Sequence, residues 1–168
     1  WHLAFNLYCL WVFSKKIEFE TSKIFYGTLI LSSALASSAG QLAFSDSTGI
    51  GLSGIGYSLF AYIFLMSKMT EAYKNYLSKQ TINLFIIWLV LCIILTQTEA
   101  WSVGNAAHIS GLLWGLTMAY ISKLDGLKQW AIGIGLLSII VSSIFWTPFS
   151  TSWLSHKAYS LHIDKKED

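Results

Sequence analysis

Of the 168 residues in this chain, 54% are hydrophobic and 12% charged, and the mean hydropathy is +0.55, whereas a soluble domain carries roughly 25% charged residues. The solvent of such a chain is a bilayer, and its net charge of +2 comes from lysines in short connections, which argues for membrane topology and against a nucleic-acid partner. Cys9 and Cys92 both fall inside apolar runs and supply neither a disulfide framework nor a zinc spacing, so no metal or cofactor is expected.

Six apolar runs predict six transmembrane helices in an all-α integral membrane protein. The first, 1–13, is short for a span of roughly 20 residues and opens on Trp1 with no charged flank, so the sequence reads as part of a longer chain in which this helix begins upstream. Lys15, Lys16, Glu18, Glu20 and Lys23 make the first connection. Run 24–44 is a full span rich in Ser, Ala and Gly, the small residues that let membrane helices approach. The connection 45–51 carries Asp46 and no lysine, and leads into a glycine cluster around one serine, Gly49-Ile50-Gly51-Leu52-Ser53-Gly54-Ile55-Gly56. Glycine tolerates close approaches that a Cβ forbids, so something is expected to come near Ser53.

Run 52–67 is the third helix, followed by Lys68, Glu71, Lys74 and Lys79. Run 82–96 is the fourth, and Glu99 is the one charge in the loop after it. Run 104–122 is the fifth and carries a lone histidine, His108, before Lys123, Asp125 and Lys128. Run 130–149 is the sixth, with Pro148 at its end, and 151–168 is a polar tail.

Lysine placement orients the bundle. The connections after the first, third and fifth helices hold Lys15, Lys16, Lys23, Lys68, Lys74, Lys79, Lys123 and Lys128, while the opposite connections hold none. By the positive-inside rule the lysine-bearing connections are cytoplasmic and the serine-glycine loop faces the other side. The tail lysines, Lys157, Lys165 and Lys166, fall outside if the sixth run spans, against that rule.

Depth follows from the same lysines. Ser53 and His108 each precede a lysine, Lys68 and Lys123, by about 15 positions; at about 1.5 Å per residue both sit roughly 22 Å up a core about 30 Å thick. His2 and Asn6, on one helix face by their i, i+4 spacing, precede Lys15 by about 13 and 9 positions, hence lie roughly 20 and 14 Å up. Polar side chains from three helices therefore share the outer half of the membrane, where such groups face a bundle interior or a wet cavity.

The chemistry open to them is acyl transfer. Serine needs a base to take its proton, and neutral imidazole is the usual one. All nine acidic residues lie in connections, loops or the tail, so a Ser-His dyad is expected rather than a triad. Backbone N–H groups at the start of the Ser53 helix, with His2 and the Asn6 amide, would serve a developing oxyanion.

At these residues the chain resembles the rhomboid intramembrane serine proteases, of the bacterial GlpG-like type. His2-Leu3-Ala4-Phe5-Asn6 matches the family's H-x-x-x-N, Gly51-Leu52-Ser53-Gly54 its G-x-S-G, and Ala107-His108-Ile109-Ser110-Gly111-Leu112-Leu113-Trp114-Gly115 its A-H-x-x-G-x-x-x-G. The resemblance implies a core over 1–124 lacking the family's first helix and first loop, an extra C-terminal helix over 125–150, and the polar tail. It implies Ser53 as nucleophile, His108 as general base, and His2, Asn6 and the Leu52 and Ser53 amides as the oxyanion site. Tyr57 would pack on the catalytic imidazole, Gly51 and Gly54 would frame the serine, and Gly111 and Gly115 would bring the His108 helix close. Where many relatives carry Glu-x-Arg, this chain has Glu18-Phe19-Glu20.

The function so implied is an endopeptidase that cuts transmembrane helices of other membrane proteins, needing no metal or cofactor. Substrate would enter laterally between the first visible and the fourth helix, under a cap formed by loop 97–103. The implied location is a bacterial inner membrane, with the site opening to the non-cytoplasmic side. The alternative is a catalytically silent rhomboid-like protein that binds client helices; such relatives usually lack the serine or the histidine, and both are present here. A transporter or channel would need polar groups throughout the bundle interior, and the cytoplasmic halves of these helices offer almost none. Gly49-x-Gly51-x-x-Gly54 spells a dinucleotide fingerprint, but no strand precedes it. Ile55 breaks the G-x-S-x-G elbow, and neither H-E-x-x-H nor paired intramembrane aspartates occur.

Overall fold

The computed structural model describes residues 2–45, 52–101, 103–124, 126–146 and 155. These form six α-helices: α1 (His2–Glu20), α2 (Lys23–Phe44), α3 (Ser53–Met69), α4 (Lys79–Gln97), α5 (Asn105–Ile121) and α6 (Gly126–Trp146), with a 3-10 turn at Glu71–Tyr73. No strand occurs among the described residues. Two of the helices, over Lys79–Gln97 and Gly126–Ser143, are long and apolar enough to cross a membrane by length and composition. The outer faces are apolar, with Leu3, Tyr8 and Trp11 on α1, Ile87 and Ile94 on α4, and Ile134 and Ile139 on α6 all exposed, as befits a surface bathed in lipid.

Helix α3 is the axis. Tyr57, Leu59, Phe60, Ala61, Tyr62, Ile63 and Met66 are buried around its circumference, the pattern of a helix enclosed on every side. It packs most extensively on α5, while α2 lies along α5 and α6 lies along α2. Small residues set the α3–α5 spacing: a Cβ on Gly111 would land on the Gly54 carbonyl, and one on Gly115 would land on the Ser58 carbonyl. The two backbones are therefore in direct contact.

Buried hydroxyls and amides tie this apolar interior together. Ser33 Oγ lies 2.7 Å from Ser58 Oγ, Trp114 Nε1 donates to Ser32 Oγ at 2.9 Å, and the Ala107 N–H donates to the Gln41 side chain at 3.0 Å. Each bond fixes α2 against α3 or α5, and interhelical bonds of this kind contribute about 0.6 kcal/mol apiece in lipid.

Two boundaries differ most from expectation. Helix α1 does not stop near residue 13 but continues through Lys15, Lys16 and Glu18 to Glu20. These are good helix formers, and Lys16 Nζ pairs with Glu20 Oε1 one turn on at 2.6 Å. Charge marks where the helix leaves the apolar layer, not where it ends. Helix α6 begins at Gly126, four residues earlier than expected, because that glycine (φ +50°) reverses the chain immediately after α5; the end of the expected sixth run, 147–149, lies outside the described residues. Between α3 and α4, Tyr76 Oη donates to the Val12 carbonyl at 2.8 Å and pins this connection to α1. Ser78 then caps α4 by accepting from Thr81 N–H at 3.0 Å.

Candidate active site

Ser53 is the first residue of α3, and Leu52 before it takes the cap position with no side-chain acceptor. The first N–H groups of a helix have no intrahelical partner and carry its positive dipole end. The Ser53 hydroxyl therefore stands where negative charge is favoured. His108 lies in the first turn of α5 and is buried, 2% exposed. Its Nε2 is 2.8 Å from Ser53 Oγ, a hydrogen bond joining residues from two helices. The close backbone approach at Gly54 and Gly111 allows it.

Supports converge on the imidazole from two sides. The Tyr57 ring, one turn after Ser53, lies with its centroid 4.8 Å from that of His108, tilted by 36°. The Tyr57 hydroxyl donates to the Phe85 carbonyl on α4 at 3.1 Å. From the other side Gln41, 2% exposed on α2, accepts the N–H of Ala107, the residue before His108. That amide acts as an N-cap supplied by a neighbouring helix, for Gly104 at the α5 cap has no side chain to offer.

A narrow, open-sided cleft lies beside Ser53. Phe5, Asn6 and Cys9 of α1 form one wall, Leu84, Phe85 and Trp88 of α4 the other, and Ser53, Gly56 and Tyr57 of α3 the floor. Asn6 is buried, 6% exposed, so its amide belongs to this cleft and not to the lipid surface. Helix α4 is the loosest wall: Phe85 and Cys92 are its buried residues. Phe85 anchors it, stacked on Phe60 at 4.3 Å and edge-on to Tyr57 at 5.3 Å.

The structure thus brings Ser53, His108, Tyr57 and Asn6 together around one cleft, puts Gly54, Gly111 and Gly115 at the α3–α5 contact that holds them, and leaves Leu52 at the cap of α3. His2 opens α1 one turn from Asn6; its side chain, and the whole of Gly51, lie outside the described residues. Among the described residues no cluster of His, Cys, Asp or Glu has the makings of a metal site. Gln41 was not among the expected site residues. The signal for it was a lone amide in the apolar run 24–44, about 18 positions past Lys23 and so at nearly the depth of Ser53.

With that geometry in place, comparison with known proteins gives a consistent answer. The Rhomboid domain matches residues 1–125. Over 121 residues the chain is 33% identical to Rhomboid protease GlpG of Yersinia pseudotuberculosis serotype I (strain IP32953), a stretch covering 71% of this chain and 42% of that relative. The chain therefore spans less than half the length of the curated relative it matches. No solved structure matches it. A rhomboid domain over three quarters of the sequence, on an all-helical bundle, makes this chain a member of the rhomboid family.

Proposed function

We propose that this chain carries the catalytic core of an intramembrane serine endopeptidase in which Ser53 attacks a peptide carbonyl of a transmembrane helix. His108 Nε2 takes the hydroxyl proton as the Oγ–carbon bond forms. The resulting oxyanion is stabilised by the Leu52 and Ser53 amides at the α3 N-terminus, by the Asn6 side chain, and by His2. Collapse of the tetrahedral species breaks the peptide C–N bond as His108 returns the proton to the leaving amine. Water, activated by the same imidazole, then hydrolyses the acyl-enzyme. The observation that carries this reading is the 2.8 Å contact between His108 Nε2 and Ser53 Oγ at the head of α3, on the floor of a cleft.

The α1–α4 seam supports lateral entry of substrate, because the cleft walls are apolar and α4 is the least anchored helix beside the site. A helix hides its carbonyls in hydrogen bonds, so cleavage should favour segments that unwind easily, with small or helix-breaking residues. Loop 97–103 would cap the entrance. The core, 1–124, performs the chemistry, and the helix after it and the tail 151–168 are accessory. The site opens to the side opposite the lysine-bearing connections, away from the cytoplasm of a bacterial inner membrane.

Labelling with a fluorophosphonate serine probe tests the proposal. The unaltered protein should be labelled, and Ser53→Ala and His108→Ala should not. Both substitutions should also abolish cleavage of a reporter transmembrane substrate while the protein stays folded. Full activity in either variant would refute the dyad.

A further inference from the structure

A second cleft, sharing no lining residue with the first, lies between α2, α5 and α6 as an open-sided groove of about 360 Å³, counting the space at its open side. Three of the polar groups that line it, Thr28, Ser32 and Trp114, are already engaged, and Gln129 stands at one end. Thr28 Oγ1 donates to the Ile24 carbonyl at 2.9 Å, and Ser32 Oγ donates to the Leu29 carbonyl at 3.3 Å while accepting from Trp114 Nε1. A ligand seeking hydrogen bonds would find few inside, whereas a hydrocarbon chain gives up nothing on entering. Gly133 forms part of its wall close against α5, where a Cβ would come within 3.2 Å of Ile121 Cδ1.

One end of this cleft is ringed with positive charge. Its lining runs along α2 from Phe25 to Ser32, back along α5 from Ile121 to Trp114, and along α6 from Gln129 to Leu137, about 10–12 Å of each helix. At the Phe25, Ile121 and Gln129 end every one of the three helices has an exposed lysine within two positions: Lys23, Lys123 and Lys128. Glu20, near Lys23 in sequence, is held by Lys16 at 2.6 Å. Asp125 lies outside the described residues; counted in full, it still leaves two positive charges in excess.

We infer that the cleft between α2, α5 and α6 binds an anionic diacyl phospholipid, with an acyl chain between the helices and the phosphate headgroup on Lys23, Lys123 and Lys128. Basic residues gathered at the membrane interface over a gap between helices are the recognised way of selecting anionic headgroups. A free phosphate would meet only exposed lysines, so the hydrocarbon-lined space decides for a lipid. No described side chain of α6 is buried, and the lipid would supply part of what holds that helix to α2 and α5.

The test is native mass spectrometry of the full chain in mild detergent, titrated with phosphatidylglycerol or with phosphatidylcholine of the same acyl chains. One tightly held phosphatidylglycerol per protein is expected, preferred over phosphatidylcholine by at least about tenfold. Combining Lys23→Gln, Lys123→Gln and Lys128→Gln, which disturbs no packing, should bring that preference close to one. Gly133→Leu and Thr28→Leu, which fill the cleft from opposite walls, should each weaken both lipids with the helical signal unchanged. Equal affinity for the two lipids in the unaltered protein overturns the inference, as does an undiminished preference in the lysine variant. A protein dimer in place of the lipid adduct, dissolved by Gly133→Leu, would assign the cleft to a second copy of the chain and also overturn it.

Discussion

The phenol of Tyr57 donates a 3.1 Å hydrogen bond to the main-chain carbonyl of Phe85 while its ring lies against His108. One side chain of α3 thus touches both the imidazole and α4, the loosest wall of the cleft. Tyr57→Phe keeps the ring and loses the hydroxyl, so thermal unfolding should register a loss of about 1 kcal/mol, with kcat within a few-fold of the unaltered protein. Tyr57→Ala removes the ring as well, and kcat should fall by at least about tenfold through misplacement of the base. Equal kinetic losses in the two variants would show that the hydroxyl, and not the ring, positions His108.

The backbone contact between α3 and α5 makes a sharp prediction about stability. A methyl on Gly111 would meet the Gly54 carbonyl, which cannot rotate away as a side chain can. Gly111→Ala should therefore destabilise by about 3 kcal/mol, the upper end of the usual overpacking cost. Its control is Gly27→Ala on α2, where an added Cβ meets nothing within 4 Å, so the variant should gain up to about 1 kcal/mol from helix propensity. Denaturation of both proteins in the same detergent measures the difference. If Gly111→Ala costs nothing, the helices are not in backbone contact there.

Gln41 offers a way to separate placement of the base from its chemistry. Its side chain accepts the Ala107 N–H at 3.0 Å, in the first turn of the helix that carries His108. Gln41→Leu keeps the bulk and leaves that N–H without its cap, which costs about 1–2 kcal/mol of stability. The expected kinetic signature is a fall in kcat with KM nearly unchanged, because Gln41 is absent from the walls of the cleft beside Ser53. Gln41→Glu retains an acceptor and should recover part of the lost rate.

The serine and the histidine were legible before any coordinates, because the one sits in a glycine cluster, the other is the single histidine of its apolar run, and their distances to Lys68 and Lys123 put them level. Their meeting at 2.8 Å depends on Gly54 and Gly111, and that glycine pattern too can be read from the sequence. Gln41 and the Ser33–Ser58 pair were not read, although they are also polar groups in apolar segments. Serine is so common in membrane helices that only a partner on another helix distinguishes a tie from a filler, and partners become visible only once the helices are packed. The end of α1 was misjudged for a different reason. Lys15 and Lys16 mark the water boundary, but the hydrogen bonds that continue the helix to Glu20 are indifferent to it.

Phe85 leads to a prediction about access to the site. Helix α4 is held to the bundle by few buried side chains, and Phe85 alone reaches Phe5, Phe13, Tyr57 and Phe60. It joins α4 to both α1 and α3 across the seam through which a substrate helix would pass. Phe85→Ala removes those ring contacts, each aromatic pair contributing about 0.5–1.5 kcal/mol beyond simple burial, and leaves the Tyr57 hydroxyl its main-chain acceptor. The melting temperature should fall. If separation of α1 and α4 limits entry, kcat/KM for a transmembrane reporter should rise several-fold even so, while a short soluble peptide that can enter from the aqueous end should show no gain. A parallel loss with both substrates would mean that Phe85 serves the geometry of Ser53 and His108, and that substrate enters by another route.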